Sequence, residues 1–307
     1  MAFSPLKPRL ALQLAAPHTW PASILPVLFA SSLVVIDQGS VSVALMATLL
    51  GISILMQAAA NTLNDYFDYV KGADSLDNQV DPNDAVLVYH NVNPRSVLIL
   101  AIGFLAAAVA GGVYVIASAG WIPLGIGVLG VVIIVLYSAG KTPLSYLPMG
   151  EVASGFAFGG LIPLACYQVL SSAFDLRVLY LTIPLMLGIA LIMFTNNTCD
   201  REKDIEAGRK TLAVLLGRPR SLKAYHAVLV IWILAIVVLV ACFYTAGLIV
   251  VPFMLLTLYP TLKALVSNPL TLQARVSAMA ACLNTNIGLG AFFIVAMLIG
   301  RLAHLVL

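Results

Sequence analysis

Long apolar runs separated by polar segments repeat from one end of the chain to the other. Runs of about 20 apolar residues match the length of a helix that crosses a bilayer. The predicted spans are residues 20–36, 41–61, 97–117, 121–137, 152–170, 179–196, 224–244, 248–265 and 278–298. The strict two-residue alternation of an outer-membrane strand is missing from these runs. The pattern predicts an all-α, polytopic membrane bundle of about nine transmembrane helices.

Composition supports a membrane protein. The 307 residues are 61% hydrophobic and 9% charged, with a mean hydropathy of +1.02. A soluble domain of this size exposes far more polar surface than such a chain could supply. We therefore expect residues 1–307 to form a single integral membrane domain surrounded by the lipid bilayer, with no nucleic-acid partner. Two polar segments, 62–96 and 197–223, interrupt the apolar pattern and carry most of the candidate chemistry.

The charged residues are distributed unequally between the two sides of the predicted bundle. If the spans alternate in direction, every Lys and Arg except Arg177 and Arg301 falls on the side of the N-terminus. The acidic residues follow the same division, with Asp37 and Asp175 as the exceptions. Basic residues accumulate in cytoplasmic loops. The sequence thus predicts a multi-pass protein of the cytoplasmic membrane, with its N-terminus and both long polar segments in the cytoplasm.

The first polar cluster follows directly on the second predicted span. Asn64 and Asp68 are four residues apart, so they share one face of a helix, with Asp65 about 100° around the axis. Asp74 follows Gly72, where such a helix would end. Neighbouring carboxylates repel one another unless a cation lies between them. The cluster therefore predicts a binding site for a positive ion.

The second polar cluster repeats this arrangement about 130 residues later. Asn196 and Asn197 end an apolar run, and Asp200 and Asp204 follow at helical spacing. Ionisable residues near the bilayer are costly and are usually functional. Two such clusters suggest two helices that face one cavity. Charged residues in a cytoplasmic loop are ordinarily only solvated, and that interpretation is kept for the exposed-loop acids Asp77, Asp81, Asp84, Glu202 and Glu206.

The donor types indicate a diphosphate held by metal ions. Carboxylate and amide oxygens are hard ligands, and Mg²⁺ binds through one or two carboxylates together with substrate phosphates. Lys141, Arg209 and Lys210, with Lys71 as a further candidate, would neutralise the phosphate oxygens that the metal leaves uncovered. A long apolar chain attached to the diphosphate would lie between the helices. An alternative is a cation-coupled transporter, although transporters place ion sites near the bilayer midplane rather than at one interface.

These residues resemble the UbiA superfamily of membrane prenyltransferases, and most closely the 1,4-dihydroxy-2-naphthoate polyprenyltransferases of menaquinone synthesis. The resemblance extends over nearly the whole chain in the same order. It is carried by Pro17-His-Thr-Trp-Pro-Ala-Ser23, Asn64-Asp-Tyr-Phe-Asp-Tyr-Val-Lys-Gly-Ala-Asp74, Gly140-Lys-Thr-Pro143 with Gly150-Glu151, and Asn196-Asn197 through Gly208-Arg-Lys-Thr-Leu-Ala213.

The resemblance implies a helical bundle around a central cavity, with a cytoplasmic cap. It implies Mg²⁺-dependent transfer of a prenyl chain from a polyprenyl diphosphate to an aromatic acceptor. The implied metal ligands are Asn64, Asp68, Asp74, Asp200 and Asp204. Asp68, Asp200, Asp204 and Lys141 are the implied catalytic residues. The implied diphosphate- and cofactor-binding positions, two of which are also metal ligands, are Asn64, Asp65, Asp74, Asn196, Asn197, Arg209 and Lys210.

Two departures from the family pattern leave the acceptor open. The subfamily commonly has a Gly-Pro-Arg stretch after the first cluster, where this chain has Asp81-Pro-Asn-Asp-Ala-Val-Leu-Val-Tyr-His-Asn91. The position before Asp200, often basic in relatives, is Cys199. Naphthoate remains the expected acceptor. The alternatives within this fold are a hydroxybenzoate, haem, chlorophyllide, a glycerol phosphate lipid and a phosphoribosyl sugar.

Overall fold

The computed structural model describes residues 3–72 and 86–306, with side chains described as far as residue 301. Each apolar run lies in a helix. These helices are α2 (Pro21–Gln38), α3 (Val43–Val70), α5 (Pro94–Ala119), α6 (Ile122–Ser138), α7 (Gly150–Phe156) continuing into α8 (Ile162–Ser171), α10 (Ile183–Cys199), α13 (Arg218–Phe243), α14 (Val250–Ser267) and α15 (Arg275–Val306).

The fold is all-α, as predicted. By length and hydropathy, seven helical segments of the described chain are long enough to cross a membrane, and α6 and α10 are shorter apolar helices. The helix of the first cluster continues to Val70, nine residues past the predicted end of its span. Asn64, Asp65 and Asp68 of the first cluster therefore lie on a helix, as their spacing predicted, so the polar segment 62–96 begins within α3.

Short helices join the spans at the end of the bundle that carries both acidic clusters. They are α1 (Pro8–Leu14), α4 (Val86–His90), α11 (Arg201–Glu206) and α12 (Leu212–Leu216). Leu10 and Leu14 of α1 pack with Val86 and Leu87 of α4 in one buried apolar group. This packing gives the bundle a cap at that end.

At the opposite end of the bundle lie Arg177, Asp37 and Asp175, which the sequence placed on the side away from the N-terminus. Arg177 at the start of α9 (Arg177–Leu181) forms ion pairs with Asp37 and Asp175. The Tyr167 hydroxyl donates to Asp37 Oδ2 over 2.7 Å. These contacts connect α2, α8 and α9, and they agree with the division of charge seen in the sequence.

A π-helical turn, Ala157–Leu161, interrupts the helix between α7 and α8. Pro163 has no amide hydrogen, so it cannot bond to the carbonyl four residues earlier. The chain instead closes a wider turn, in which the Ile162 amide donates to the Ala157 carbonyl. This turn lies against α10 and presents Ala157 and Phe158 to the central cavity.

Candidate functional site

A cavity of about 550 Å³ lies between the helices and is bordered by both acidic clusters. Its α3 wall runs from Gln57 to Asp68, which at 1.5 Å per residue is a depth of roughly 16 Å. Deeper in the bundle its lining is largely apolar, and includes Ile133, Ile134, Phe158, Ile189, Met279 and Leu283. The cavity thus has a polar end and an apolar interior.

Asp68 is the centre of the first cluster. Its carboxylate is buried; Oδ1 accepts a hydrogen bond from Arg209 Nη2 over 2.8 Å, and Oδ2 accepts one from Asn64 Nδ2 over 3.2 Å. A carboxylate only accepts, so the Asn64 amide must point its nitrogen at Asp68. This orientation leaves Asn64 Oδ1 as the group that a cation can use.

Arg209 connects the two clusters. Besides its contact with Asp68, its Nη1 lies 3.6 Å from Asp204 Oδ1, and Thr211 donates to Asp204 Oδ2 over 3.1 Å. Burial raises the pKa of Asp204 to about 7, although the positive charge of Arg209 opposes that rise. The two clusters predicted to face each other therefore share one guanidinium across the cavity.

The last turn of α10 carries the other half of the second cluster. Asp200 follows this turn, and its Oδ2 lies 3.1 Å from Arg275 Nε at the first residue of α15. Asn196, one turn earlier, accepts from Arg275 Nη2 over 2.8 Å and from Nε over 3.1 Å. Asp200 and Asn196 are thereby tied to a helix that no sequence motif connects with them.

Asn197 has a different partner from its neighbour. Its Nδ2 donates to Glu151 Oε1 over 2.9 Å, and both side chains are buried. This bond joins α10 to the start of α7, beside the cavity. A carboxylate only accepts, so the amide oxygen of Asn197 points away from Glu151.

Of the other predicted site residues, some line the cavity and others do not. Asp65 lines the cavity between Asn64 and Asp68. Lys141 and Lys210 are exposed and lie outside the cavity lining that the described residues form. The Lys210 backbone amide nevertheless donates to the Tyr146 carbonyl over 2.7 Å. Asp74 lies outside the described residues.

Two side chains near the cavity, Arg275 and Glu151, were missed as site residues, and Lys71 was named only as a further basic candidate. Arg275 and Glu151 hold the second cluster, and Lys71 donates to the Ser138 carbonyl over 2.8 Å. Burial lowers the pKa of Lys71, against the opposing effect of Asp68. Two cations lie over the Tyr146 ring, with its centroid 5.0 Å from Lys71 Nζ and 4.6 Å from the Arg209 guanidinium carbon. Lys71 and Glu151 lie within segments that carry the family resemblance, whereas no quoted motif includes Arg275.

The donor set fits a hard divalent cation. The lining supplies the carboxylates of Asp68, Asp200 and Asp204 and the free oxygen of Asn64, the ligand types that Mg²⁺ prefers. Within residues 3–72 and 86–301, no three His, Cys, Asp or Glu side chains converge on one point. Arg209 and Arg275 engage the carboxylates instead. A cation held by these carboxylates would therefore lie beside the two guanidinium groups.

Comparison with known sequences identifies relatives across most of the chain. The UbiA prenyltransferase family matches residues 23–287. The 1,4-dihydroxy-2-naphthoate octaprenyltransferase of Bacillus subtilis (strain 168) is 33% identical over 229 residues, which are 74% of this chain and 73% of that protein. UbiA prenyltransferase domain-containing protein 1 of Danio rerio is 28% identical over 218 residues, 69% of this chain and 63% of that protein.

Solved structures share the fold. A UbiA homologue from Archaeoglobus fulgidus, bound to DMAPP and Mg²⁺, superposes with a TM-score of 0.65 at 17% identity, covering 93% of this chain and 99% of that one. A homologue from Aeropyrum pernix K1 gives a TM-score of 0.60 at 18% identity, covering 90% of this chain and 98% of that one. At these identities the likeness establishes the arrangement of helices.

Proposed function

This chain belongs to the UbiA prenyltransferase family and is a multi-pass membrane prenyltransferase, and we propose that its acceptor is 1,4-dihydroxy-2-naphthoate and its donor a polyprenyl diphosphate. The reaction would serve menaquinone synthesis. The observation that carries the proposal is the pair of acidic clusters on α3 and α10, joined by Arg209 at the polar end of an apolar cavity. The similarity to the 1,4-dihydroxy-2-naphthoate octaprenyltransferase of Bacillus subtilis favours this acceptor over the others.

We propose that Mg²⁺ is held by Asn64, Asp68, Asp200 and Asp204, together with Asp74 from outside the described residues. When bound, the metal supplies Lewis-acid stabilisation of the departing diphosphate. The Mg²⁺ in the Archaeoglobus fulgidus homologue supports the choice of metal, and the oxygen donors of the lining are suited to it.

The side chains at the polar end would bind and orient the diphosphate. Arg209, Asn196 and Asn197 border the cavity there, and Asp65 lies beside the metal ligands. A guanidinium close to the departing oxygens stabilises the negative charge that builds on them as the carbon–oxygen bond breaks. Lys141 and Lys210 stay predictions, because both are exposed and neither is among the described residues that line the cavity.

The apolar interior would exclude water from the prenyl chain. In the proposed transfer, the carbon–oxygen bond of the prenyl diphosphate breaks and its electron pair leaves with the diphosphate. A new carbon–carbon bond forms from the electron-rich ring. The carboxyl group then leaves as carbon dioxide and returns its electron pair to the ring. Ile133, Phe158 and Ile189 line this part of the cavity and offer no competing nucleophile.

An acceptor panel tests the proposal. We expect purified protein supplied with Mg²⁺ and a labelled polyprenyl diphosphate to yield prenylated product and carbon dioxide with 1,4-dihydroxy-2-naphthoate. We expect no product with 4-hydroxybenzoate, haem, chlorophyllide, a glycerol phosphate lipid or a phosphoribosyl sugar. The products are resolved by chromatography and mass spectrometry. Transfer to one of those other acceptors alone would overturn the naphthoate assignment. Accumulation of substrate in proteoliposomes without covalent change would indicate a transporter.

The orientation in the membrane is a second proposal: the cap and both clusters face the cytoplasm. Glu206 is exposed in α11 of the cap, and Phe174 is exposed at the opposite end. In a Cys242→Ala background, which removes the exposed native thiol, we expect an impermeant maleimide to label Glu206→Cys only in inverted vesicles. Phe174→Cys should react only in spheroplasts. The reverse pattern would place the site on the outer side.

A further inference from the structure

The two asparagines one turn before the key aspartates present opposite ends of their amides to the cavity. Asn64 Nδ2 donates to Asp68, which leaves Asn64 Oδ1 for a ligand. Asn196 Oδ1 instead accepts two hydrogen bonds from Arg275, at 2.8 and 3.1 Å. Arginine only donates, so the oxygen of Asn196 must face α15. The polar atom of Asn196 that a ligand can still use is Nδ2.

Arg275 is placed to fix this orientation firmly. It is the first residue of α15, and its guanidinium contacts both Asn196 and Asp200 Oδ2 across the helix interface. The side chains of Arg275 and Asp200 are only 21% and 15% exposed, so water screens their attraction weakly. The planar donor fork of arginine holds two acceptors at a set angle, which a single ammonium nitrogen does not.

The two amide ends suit different ligands. An amide oxygen is a hard donor for Mg²⁺, whereas an N–H group hydrogen-bonds to an anionic phosphate oxygen. Asn64 is therefore suited to metal, and Asn196 is suited to phosphate. Helical spacing alone does not separate these roles, because both residues precede an aspartate by four positions; only the family resemblance placed Asn64, and not Asn196, among the metal ligands.

We propose that Arg275 is a positioning residue, which turns the Asn196 Nδ2 donor into the cavity so that Asn196 binds the diphosphate and not the metal. This inference rests on the proposed use of a prenyl diphosphate. Arg275 acts through Asn196 and need not itself touch the substrate. Removing either residue should then remove the same hydrogen bond.

Binding of inorganic pyrophosphate with Mg²⁺, measured by calorimetry on detergent-purified protein, tests the inference without turnover. We expect Arg275→Gln and Asn196→Ala each to raise the Kd about tenfold, the cost of one hydrogen bond to a charged group. The double variant should bind about as weakly as the weaker single variant, because the two residues serve one contact. Arg275→Lys should lose less affinity than Arg275→Gln but not match the wild type, since lysine can still donate to Asn196 Oδ1 but cannot hold Asn196 and Asp200 in the fixed geometry of a guanidinium. Arg220→Gln, which removes an exposed charge on the same side, should bind like the wild type.

Asn196→Asp keeps the test decisive if Arg275→Gln does not fold. Aspartate still accepts from Arg275 but has no Nδ2 donor, so the variant should fold and bind pyrophosphate at least about tenfold more weakly. Wild-type affinity in Asn196→Asp would overturn the inference, and so would fully additive losses in the double variant. If the wild-type protein neither binds pyrophosphate nor consumes a prenyl diphosphate, the proposed function itself fails.

Discussion

Asp68→Ala and Asp200→Ala should each lower prenyl-transfer activity at least about a thousandfold, a loss on the scale of removing a group that stabilises charge in a transition state. Each variant removes one carboxylate from a different cluster, and the proposed metal site needs both. Asp68 also orients the Asn64 amide, so the loss of Asp68 also frees the side chain of a second proposed metal ligand to rotate. The measurement is kcat/KM for a labelled polyprenyl diphosphate across a Mg²⁺ titration.

The bundle should stay folded in both variants. In Asp68→Ala, Arg209 still has Asp204 at 3.6 Å, and in Asp200→Ala, Arg275 keeps its two hydrogen bonds to Asn196. The thermal midpoint of unfolding in detergent should therefore change little. Glu206→Ala is the matched control, because it removes an exposed carboxylate from the same cap. We expect this control to retain wild-type activity. Wild-type turnover by either aspartate variant would refute the site assignment.

The helices and the facing clusters were predictable because their causes are local. A bilayer forces the backbone of an apolar segment to satisfy its own hydrogen bonds, so a long apolar run becomes a helix. Helical periodicity then places residues four apart on one face, as Asn64 and Asp68 show. Similarly, Asp200 and Asn196 share a turn and a common partner in Arg275.

The side chains that hold the clusters were not predictable, because their contacts exist only after the helices pack. Arg275 is 79 residues from Asn196 in sequence, and in the charge pattern it is one more basic residue near a span. Glu151 is 46 residues from Asn197. Lys141 illustrates the opposite case: Gly140 and Pro143 indicated a shaped loop beside it, yet its side chain is exposed outside the cavity lining of the described chain.

The position of the cavity wall also depends on close backbone contact between two helices at glycine residues. Gly155 and Gly159, beside and within the π-helical turn, meet the backbone of α10 directly. A Cβ atom built on Gly155 would lie 2.7 Å from the Met186 carbonyl oxygen, and one built on Gly159 would lie 2.5 Å from the Met186 amide nitrogen. Close approach of two helix backbones through small residues is typical of membrane bundles. The contact holds the segment that carries Phe158, a lining residue of the cavity, against α10.

Gly159→Ala should destabilise the protein by about 2 kcal/mol, since the added methyl group meets backbone atoms that cannot move aside as a flexible side chain can. The thermal midpoint in detergent should fall, and activity should fall with it because α10 carries the second cluster. Gly103→Ala in α5 is the matched control: a Cβ atom added there would have nothing within 4 Å, and alanine favours a helix by about 1 kcal/mol. We expect this control to be as stable as the wild type or more so. Equal stability of the two variants would show that the α7–α8 segment can move away from α10 at no cost in free energy. The contacts of Arg209, Arg275 and Glu151 would then have to maintain the geometry of the polar end.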